Sequence, residues 1–381
     1  MTAVKPSLEL LRELSDEHVL RALMDETRLT RAELAARTGI SKPTVGESVR
    51  RLDAAGIVVD TGARSTGRGR AGSYYALADS IGCALAVSIA PAGITAELVD
   101  AHGDVAAQAT EPVRRPARPT SVTASVRAAC RRVAAEARGP VRLAVVSAAD
   151  PVDRVTGRLV QLPDAPFLVG ELSPADALDG LVSGPVTVDN DVNWAARAER
   201  SAGGPGLMMN DFVYLYLGEG LGSAVVSDGE VRRGHGGIAG EIAHLVTAGP
   251  GRRAMAFIDV FSELGLCYPD STAIDVAKLA TSVTGSARAA RTTRLVLGTA
   301  VGGVISAAVA LTDPAVVIIG GTWGINPLVL EEVRAACERL ARPVAIRPAL
   351  VTGDAPLAGA RTQAVHELQS AITRYRTTLQ R

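Results

Sequence analysis

Residues 218–244, GEGLGSAVVSDGEVRRGHGGIAGEIAH, are the stretch from which the fold of this chain is interpreted. Glycine fills eight of the 27 positions. Because glycine loses more backbone freedom on folding than any other residue, such a run needs tight turns or a close ligand to offset the cost. The stretch therefore predicts a phosphate-binding loop, one wall of a sugar-binding pocket, or a set of structural turns. It ends in two polar side chains, Glu241 and His244.

The composition is that of a globular protein with two or three domains, since 47% of the 381 residues are hydrophobic and 21% are charged. Lys and Arg together number 40, and so do Asp and Glu. Because the formal net charge is zero, nucleic-acid binding would require a local basic patch rather than a uniformly basic surface.

The sequence predicts a cytoplasmic protein with no membrane partner. Its first residues are charged and lack the apolar core of a signal peptide. The longest apolar run, residues 295–311, contains Gly, Ser and Thr and is shorter than the roughly 18–20 residues of a membrane span, so it predicts a buried helix. The four cysteines form no CxxC pair, which predicts reduced thiols and no cysteine-based metal site.

The first 78 residues predict a DNA-binding domain. Thr30 opens a capping-box pattern that starts a short helix, and Gly39 ends that helix. Ser41 caps a further helix that runs to about residue 55. Two strands, at residues 57–59 and 73–77, then flank a loop rich in glycine and arginine. Helix, turn and helix followed by strand, basic loop and strand is the pattern of a winged helix.

Charge is concentrated in this domain, where residues 41–73 carry six positive and three negative side chains. The start of the last helix would approach base edges in the major groove, and arginines of the wing would reach the minor groove or phosphates. The predicted DNA contacts are Ser41, Lys42, Thr44, Ser48, Arg51, Arg64, Arg68 and Arg70. The alternative is an ordinary three-helix module with a solvated loop.

From Gly82 onward, short apolar strands alternate with alanine-rich helices, which predicts an α/β fold. One predicted helix covers residues 121–137. The predicted strands cover residues 83–90, 141–146, 186–188, 212–217 and 315–319.

Three motifs occur in an order that resembles the ROK family, named for repressors, open reading frames and kinases. They are VDNDVN at 188–193, the glycine-rich run with its closing AGEIAH, and DPAVVIIGG at 313–321. The resemblance covers nearly the whole chain and is to regulators of the xylose-repressor and N-acetylglucosamine-repressor type. It implies a winged helix-turn-helix at 1–78 and a two-lobed, actin-like ATPase fold at 79–381. It also implies a second lobe from about residue 190, a last helix that returns to the first lobe, and a homodimer or dimer of dimers.

The resemblance also implies which side chains hold a sugar. In the family, an Asn-Asp pair and the Glu and His of the closing segment bind sugar hydroxyls, and here these are Asn190, Asp191, Glu241 and His244. Asp259 is the nearest equivalent of a further glutamate. In the kinases the Asp is also the general base, an ordinary role for a carboxylate. Taken singly, the first pair could be a helix cap and the second an ordinary helical pair.

Two motifs of the family's kinases are missing. Their phosphate loop, Asp-x-Gly-Gly-Thr, is replaced by Ser88–Ala92, which has no carboxylate and contains Pro91. Their zinc cluster, C-x-C-G-x-x-G-C, is replaced by residues 247–259, which contain no cysteine. We therefore expect no Mg-ATP, no zinc, no cofactor and no catalysis.

These observations predict a transcriptional regulator, a repressor, that binds an operator in double-stranded DNA and senses a sugar or sugar derivative between its lobes. One alternative is a regulator that has lost sugar sensing and keeps the domain for dimerisation or for another ligand. A second is an active sugar kinase with an added DNA-binding domain, which Asp191 favours and Ser88 and Pro91 disfavour.

Overall fold

A computed structural model of the chain describes residues 8–65, 72–114, 117–162, 167, 171–203 and 209–378. A winged helix-turn-helix comes first, and two α/β lobes follow it. The predicted fold class is confirmed by the order of these elements and by the topology of the two large sheets.

The helices of the winged helix are α1 (Leu8–Asp25), α2 (Arg31–Thr38) and α3 (Lys42–Ala54). The capping signals predict the positions of α2 and α3. The capping box before α2 is confirmed, because the Thr30 hydroxyl accepts from the Glu33 amide and the Glu33 carboxylate accepts from the Thr30 amide at 2.7 Å. Gly39, at a φ of 71°, ends α2, and the hydroxyl of Ser41 caps α3.

The wing is a three-stranded antiparallel sheet in the order β1-β3-β2. Its strands are β1 (Leu29–Thr30), β2 (Val58–Arg64) and β3 (Ser73–Leu77). The Ser65 amide donates to the Gly72 carbonyl at 2.9 Å and so closes the base of the loop between β2 and β3. The predicted contacts Arg68 and Arg70 lie in that loop, outside the described residues.

The first lobe contains a five-stranded sheet in the order β6-β5-β4-β7-β8. β4, β5 and β6 are antiparallel, whereas β7 and β8 run parallel to β4. The elements are β4 (Cys83–Ala90), β5 (Gly93–Val99), β6 (Val105–Glu111), α4 (Pro119–Ala134), β7 (Val141–Ala148), α5 (Pro174–Ala177), β8 (Val186–Asn190) and α6 (Asp191–Ala202).

The second lobe repeats this topology in the order β11-β10-β9-β14-β15, again with three antiparallel strands followed by two parallel ones. A small hairpin, β12–β13, is added at its edge. The elements are β9 (Phe212–Leu217), β10 (Leu221–Ser227), β11 (Glu230–Val231), β12 (Val246–Ala248), β13 (Ala254–Ala256), α7 (Phe257–Glu263), α8 (Val276–Val283), α9 (Arg288–Thr312), β14 (Val316–Gly320), α10 (Pro327–Cys337) and β15 (Ala345–Pro348).

The apolar run predicted as a buried helix lies in α9. Among the described helices, α9 is the one whose length and composition would suffice to cross a membrane. One face of α9 packs on α10, where Gly298 and Gly302 leave room for Glu332 and Ala336. This face belongs to the hydrophobic core of the second lobe, so α9 is a core helix of the fold.

The last helix, α11 (Ala355–Thr378), packs on the sheet of the first lobe and on α6. Its buried face shares one hydrophobic cluster with β4, β7 and the core of the winged helix. The carboxylate of Glu97 on β5 is only 2% exposed and accepts from both Nε and Nη2 of Arg361 at 2.6 and 2.8 Å. At the joint with the winged helix, a ring nitrogen of His102 lies 3.0 Å from the carbonyl oxygen of Met24.

We expect Glu97→Gln to lower the free energy of unfolding by about 1–3 kcal/mol, because Arg361 loses a buried, charged acceptor. The matched control is Glu17→Gln, which weakens the exposed Glu17–Arg21 pair and should cost under about 0.5 kcal/mol. Urea unfolding monitored by circular dichroism measures both values. Equal effects of the two substitutions would contradict the role of this contact in fixing α11.

Candidate functional site

A cavity of about 520 Å³ lies between the two lobes. The first lobe contributes the ends of β4, β7 and β8 to its wall, and the second lobe contributes the turn between β9 and β10 and residues 241–244. The residue before α11, Asp354, completes the wall. We refer to this cavity as the cleft.

Four of the five predicted sugar-binding residues line the cleft, namely Asn190, Asp191, Glu241 and His244. Asn190 is also the N-cap of α6, since its Oδ1 accepts from the Val192 amide at 2.9 Å. Its amide nitrogen donates to the backbone carbonyl of Asp150 at 3.2 Å. The capping interpretation and the presence of Asn190 at the cleft are therefore compatible.

Asp259 does not line the cleft. It lies in the first turn of α7 with an exposed side chain, because the buried face of α7 is formed by Phe257, Ile258, Val260 and Phe261. The helical period thus directs residue 259 away from the core and from the cleft. We withdraw Asp259 from the candidate site.

Three acidic residues at the cleft were missed from the sequence: Asp150, Glu219 and Asp354. Asp150 and Glu219 each follow closely after a buried strand, β7 and β9 respectively. In open α/β sheets, ligands bind beyond the carboxyl ends of parallel strands, so this position in the sequence was a usable signal. Asp354 carries no comparable signal, because it precedes α11 and lies far along the chain from the other acids of the cleft.

Asp150 is the most buried of these acids, with 3% of its surface exposed. Its Oδ2 has no hydrogen-bond partner within the described part of the chain. Desolvation and, to a smaller extent, the nearby charge of Glu241 raise the pKa of Asp150 to about 7.

The other acids of the cleft behave similarly. Desolvation, followed by the charges of Asp150, Glu241 and Asp354, raises the pKa of Asp191 to about 7. The side chain of Glu241 opens to the cleft, and desolvation by the cleft walls raises its pKa to about 7. Desolvation also raises the pKa of Asp354. No lysine or arginine is among the described residues that line the cleft, so these carboxyls share a site without a cationic side chain.

The glycine-rich run forms a wall of the cleft and packs tightly against other backbone segments. Gly237 and Gly240 have φ values of 90° and 98°, and a Cβ at either would collide with the carbonyl of Val152 or Ser223. Arg154 donates to the carbonyl of Gly234 at 2.6 Å and ties the run to the first lobe. Some of the glycines are therefore required because another backbone segment lies too close to them for any side chain.

On the winged helix, four of the predicted DNA contacts have exposed side chains: Ser41, Lys42, Thr44 and Arg64. Ser48 and Arg51 do not belong to this surface. Ser48 is 0% exposed and donates to the Asp16 carboxylate, and Nη2 of Arg51 binds the same carboxylate at 2.7 Å.

The phase of α3 explains this correction. Its core face is formed by Val45, Ser48, Val49 and Leu52, which lie three or four residues apart. Arg51 lies beside this face, where the buried Asp16 of α1 attracts its guanidinium. Arg50, which the sequence analysis passed over, is the neighbouring arginine that points outward, and it pairs with Glu47 at 2.6 Å.

A family model described as the ROK family matches residues 85–364. The chain belongs to the ROK family. A second model, for winged helix-turn-helix DNA-binding domains, matches residues 12–59. Family membership and the DNA-binding domain are thus confirmed by separate parts of the chain.

Two solved structures share this fold. A ROK family transcriptional regulator, a homolog of the E. coli MLC protein, matches with a TM-score of 0.64 and 17% identity over 96% of this chain and 99% of its own. The ROK hexokinase of Thermus thermophilus matches with a TM-score of 0.57 and 23% identity over 76% of this chain and 99% of its own.

The curated relatives include kinases and repressors. The glucokinase of Streptomyces coelicolor is 30% identical over 166 residues, which is 43% of this chain and 50% of that protein. A putative xylose repressor of Caldicellulosiruptor is 22% identical over 241 residues, which is 62% of this chain and 59% of that protein. The chain therefore spans about half the length of the curated relatives it matches.

The residues at the cleft do not fit the magnesium nucleotide that the kinases of the family use. Where β4 turns into β5, the cleft is lined by Ser88, Ala90, Pro91 and Ala92, which offer no carboxylate for a metal ion. Pro91 also lacks the backbone N–H that would bind a phosphate.

The segment after His244 does not fit zinc. It forms the β12–β13 hairpin and the start of α7, and it contains no cysteine, whereas structural zinc needs four donors. Aromatic packing holds this segment instead. The ring of Phe261 lies 5.5 Å from that of Phe257 and 5.3 Å from that of Trp323.

The raised pKa of Asp150 predicts a pH-dependent stability. Because the folded state holds the proton up to about pH 7 and the unfolded state releases it near pH 4, the stabilisation is full below pH 4 and is lost as the pH rises through 7. We expect Asp150→Asn to raise Tm at pH 8 by about 2–4 °C and to flatten the fall in Tm between pH 5 and pH 8. The control is Asp259→Asn on the exposed face of α7. Parallel pH profiles for wild type and Asp150→Asn would contradict the assignment.

Proposed function

We propose that the chain is a transcriptional repressor that binds operator DNA through its winged helix and is controlled by a sugar or sugar derivative bound in the cleft. One observation carries the proposal. The chain joins a winged helix with an exposed, polar start of α3 to a cleft where Asn190, Asp191, Glu241 and His244 converge. Carboxylates, amides and imidazoles provide the donors and acceptors that vicinal hydroxyls require.

On the DNA side, Ser41, Lys42 and Thr44 enter the major groove with the first turn of α3. Arg64 adds to the basic surface at the end of β2, and Arg68 and Arg70 of the following loop contact the minor groove or phosphates. Winged-helix proteins of this type read two half-sites as symmetric dimers. We therefore propose a homodimer, or a dimer of dimers, that acts in the cytoplasm.

The control signal passes along α11. The helix begins directly after Asp354 at the cleft, and its 24 residues span about 36 Å. Farther along, Leu368 and Ile372 belong to the same hydrophobic cluster as the core of the winged helix. A ligand that closes the lobes shifts the start of α11, and this changes the spacing between the two recognition helices of a dimer.

We propose that the cleft does not catalyse phosphate transfer. Asp191 suits a general base, and a glucokinase is among the relatives. However, the cleft lacks a cationic side chain among its described residues, and Glu219 adds a further carboxyl. Sugar-dependent release of ADP by the purified protein, abolished by Asp191→Ala, would overturn this part of the proposal.

We expect Lys42→Ala and Arg68→Ala each to weaken binding to the DNA upstream of the protein's own gene by about 1–3 kcal/mol. If the lost contact is to a phosphate, the slope of log K against log salt falls by about 1 as well. Lys278→Ala is the matched control, since Lys278 is exposed on α8 of the second lobe. Fluorescence anisotropy at three salt concentrations measures all three variants. Unchanged affinity in Arg68→Ala would mean that the wing does not contact DNA.

We expect a thermal-shift screen of sugars and sugar phosphates to raise Tm, because a ligand that binds only the native state stabilises it by about 2.7 kcal/mol at 100 times Kd. Asp191→Asn should abolish the shift. The absence of a shift with every compound would favour the alternative, a regulator that keeps the lobes for dimerisation or for another ligand.

A further inference from the structure

The charge of the cleft does not match a neutral sugar alone. Five carboxyl groups line it, and no lysine or arginine is among its described lining residues. An ionised carboxylate only accepts hydrogen bonds. A sugar hydroxyl both donates and accepts them, so a cluster of carboxylates cannot supply the donors that its oxygen needs. With a neutral ligand these acids avoid mutual repulsion only by keeping protons, because the pKa values of Asp150, Asp191 and Glu241 are raised to about 7. The acids are Asp150, Asp191, Glu219, Glu241 and Asp354.

Asp150 is an independent indication that a ligand completes this site. It is 97% buried at the cleft wall, and its Oδ2 has no hydrogen-bond partner in the described part of the chain. A buried carboxylate oxygen without a hydrogen-bond partner is unfavourable because nothing offsets its desolvation. A cation that enters the cleft would supply the missing partner.

The nearby arginines are engaged elsewhere. Arg197 and Arg233 bind the carboxylate of Asp189 behind the cleft, at 2.8 and 3.1 Å. Arg361 on α11 binds Glu97. None of these three arginines provides a hydrogen bond to Asp150, whose Oδ2 has no partner in the described part of the chain.

The geometry favours an organic cation over a metal ion. Among the described residues, no group of three or more His, Cys, Asp or Glu side chains is arranged to hold a metal. The cavity volume of about 520 Å³ is in the range of small-molecule pockets, which is roughly 300–1,000 Å³. Asn190 and His244 at the same cleft suit a ligand with hydroxyl groups.

We propose that the cleft binds an amino sugar or aminocyclitol with a free ammonium group, which lies against Asp150 while its hydroxyls contact Asn190, Asp191, Glu241 and His244. This assignment rests on the proposed function of the cleft as a small-molecule site and defines its ligand class. An ammonium has three donors and no acceptor, the complement of a carboxylate cluster. Acetylation of the amine removes the charge, so the cleft discriminates against N-acetylated sugars.

Calorimetric titration of the full-length protein at pH 7 tests this specificity with matched trios. Each trio contains the amino sugar, its neutral parent and its N-acetyl derivative, in the gluco, galacto and manno series, and 2-deoxystreptamine represents the aminocyclitols. We expect at least one amine to bind tenfold or more tightly than its neutral counterparts. Equal or tighter binding of the neutral sugars, or no binding of any amine, would overturn the proposal.

The variant Asp150→Asn tests whether Asp150 causes the preference for the amine. We expect it to reduce the affinity for the amine at least tenfold while the neutral parent sugar is affected less. Asp354→Asn is a second variant that also lines the cleft, in case Asp150→Asn does not fold. Asp259→Asn, outside the cleft, should leave the preference unchanged. An amine preference that survives in both cleft variants would contradict the proposal.

The same protein preparations separate this inference from the proposed function. Operator binding is measured without ligand, so a failure there overturns the repressor function and leaves the amine preference standing. Conversely, a cleft that binds neutral sugars and releases the operator upholds the repressor and overturns the amine assignment. In the amine-binding outcome, protons are released on binding, since the carboxyls with a pKa of about 7 ionise fully beside the cation.

Discussion

The packing of α11 on the first lobe is the constraint on which the rest of the structure depends. Its buried residues Ala360, Ala364 and Leu368 belong to a hydrophobic cluster that also contains the core of the winged helix and residues of β4 and β7. The ion pair between Glu97 and Arg361 fixes its rotation about the helix axis. Because α11 starts at the cleft and continues to the core of the winged helix, one rigid element sets the relation between the two candidate sites.

The carboxyl groups of the cleft contrast with the paired Glu97. Within the protein alone, their neutral forms are more stable than their ionised forms. Asp150 and Asp191 are desolvated and lie near other acids, so their ionised forms are unfavourable in the absence of a partner. Structures retain such strain where a binding partner relieves it. Beside the cleft, the aromatic packing of Phe257, Phe261 and Trp323 holds the segment beyond His244 in the second lobe.

Local signals in the sequence predicted local structure well. The capping box at Thr30, the left-handed Gly39 and the strand at 83–90 depend on neighbouring residues, and each was located correctly. Several of the errors involve partners distant in sequence. Ser48 and Arg51 bind Asp16, which lies more than 30 residues earlier, and Asp354 joins the acids of the cleft only in the folded chain. Asp259 is different, because the helical period of α7 alone places it on the exposed face. Sequence periodicity fixes which residues share a helix face, but the tertiary partner decides which face is inside.

The long sequence separation between the winged helix and α11 also has a consequence for synthesis. The winged helix emerges from the ribosome well before α11, yet part of its hydrophobic cluster is supplied by residues of α11, about 300 positions later. Contacts of such long sequence separation form late in folding. The side of the winged-helix core that packs against α11 therefore stays uncovered until α11 folds onto it, and exposed apolar surface of this kind favours aggregation. The DNA-binding domain reaches its final stability only after α11 has been synthesised and has packed against it.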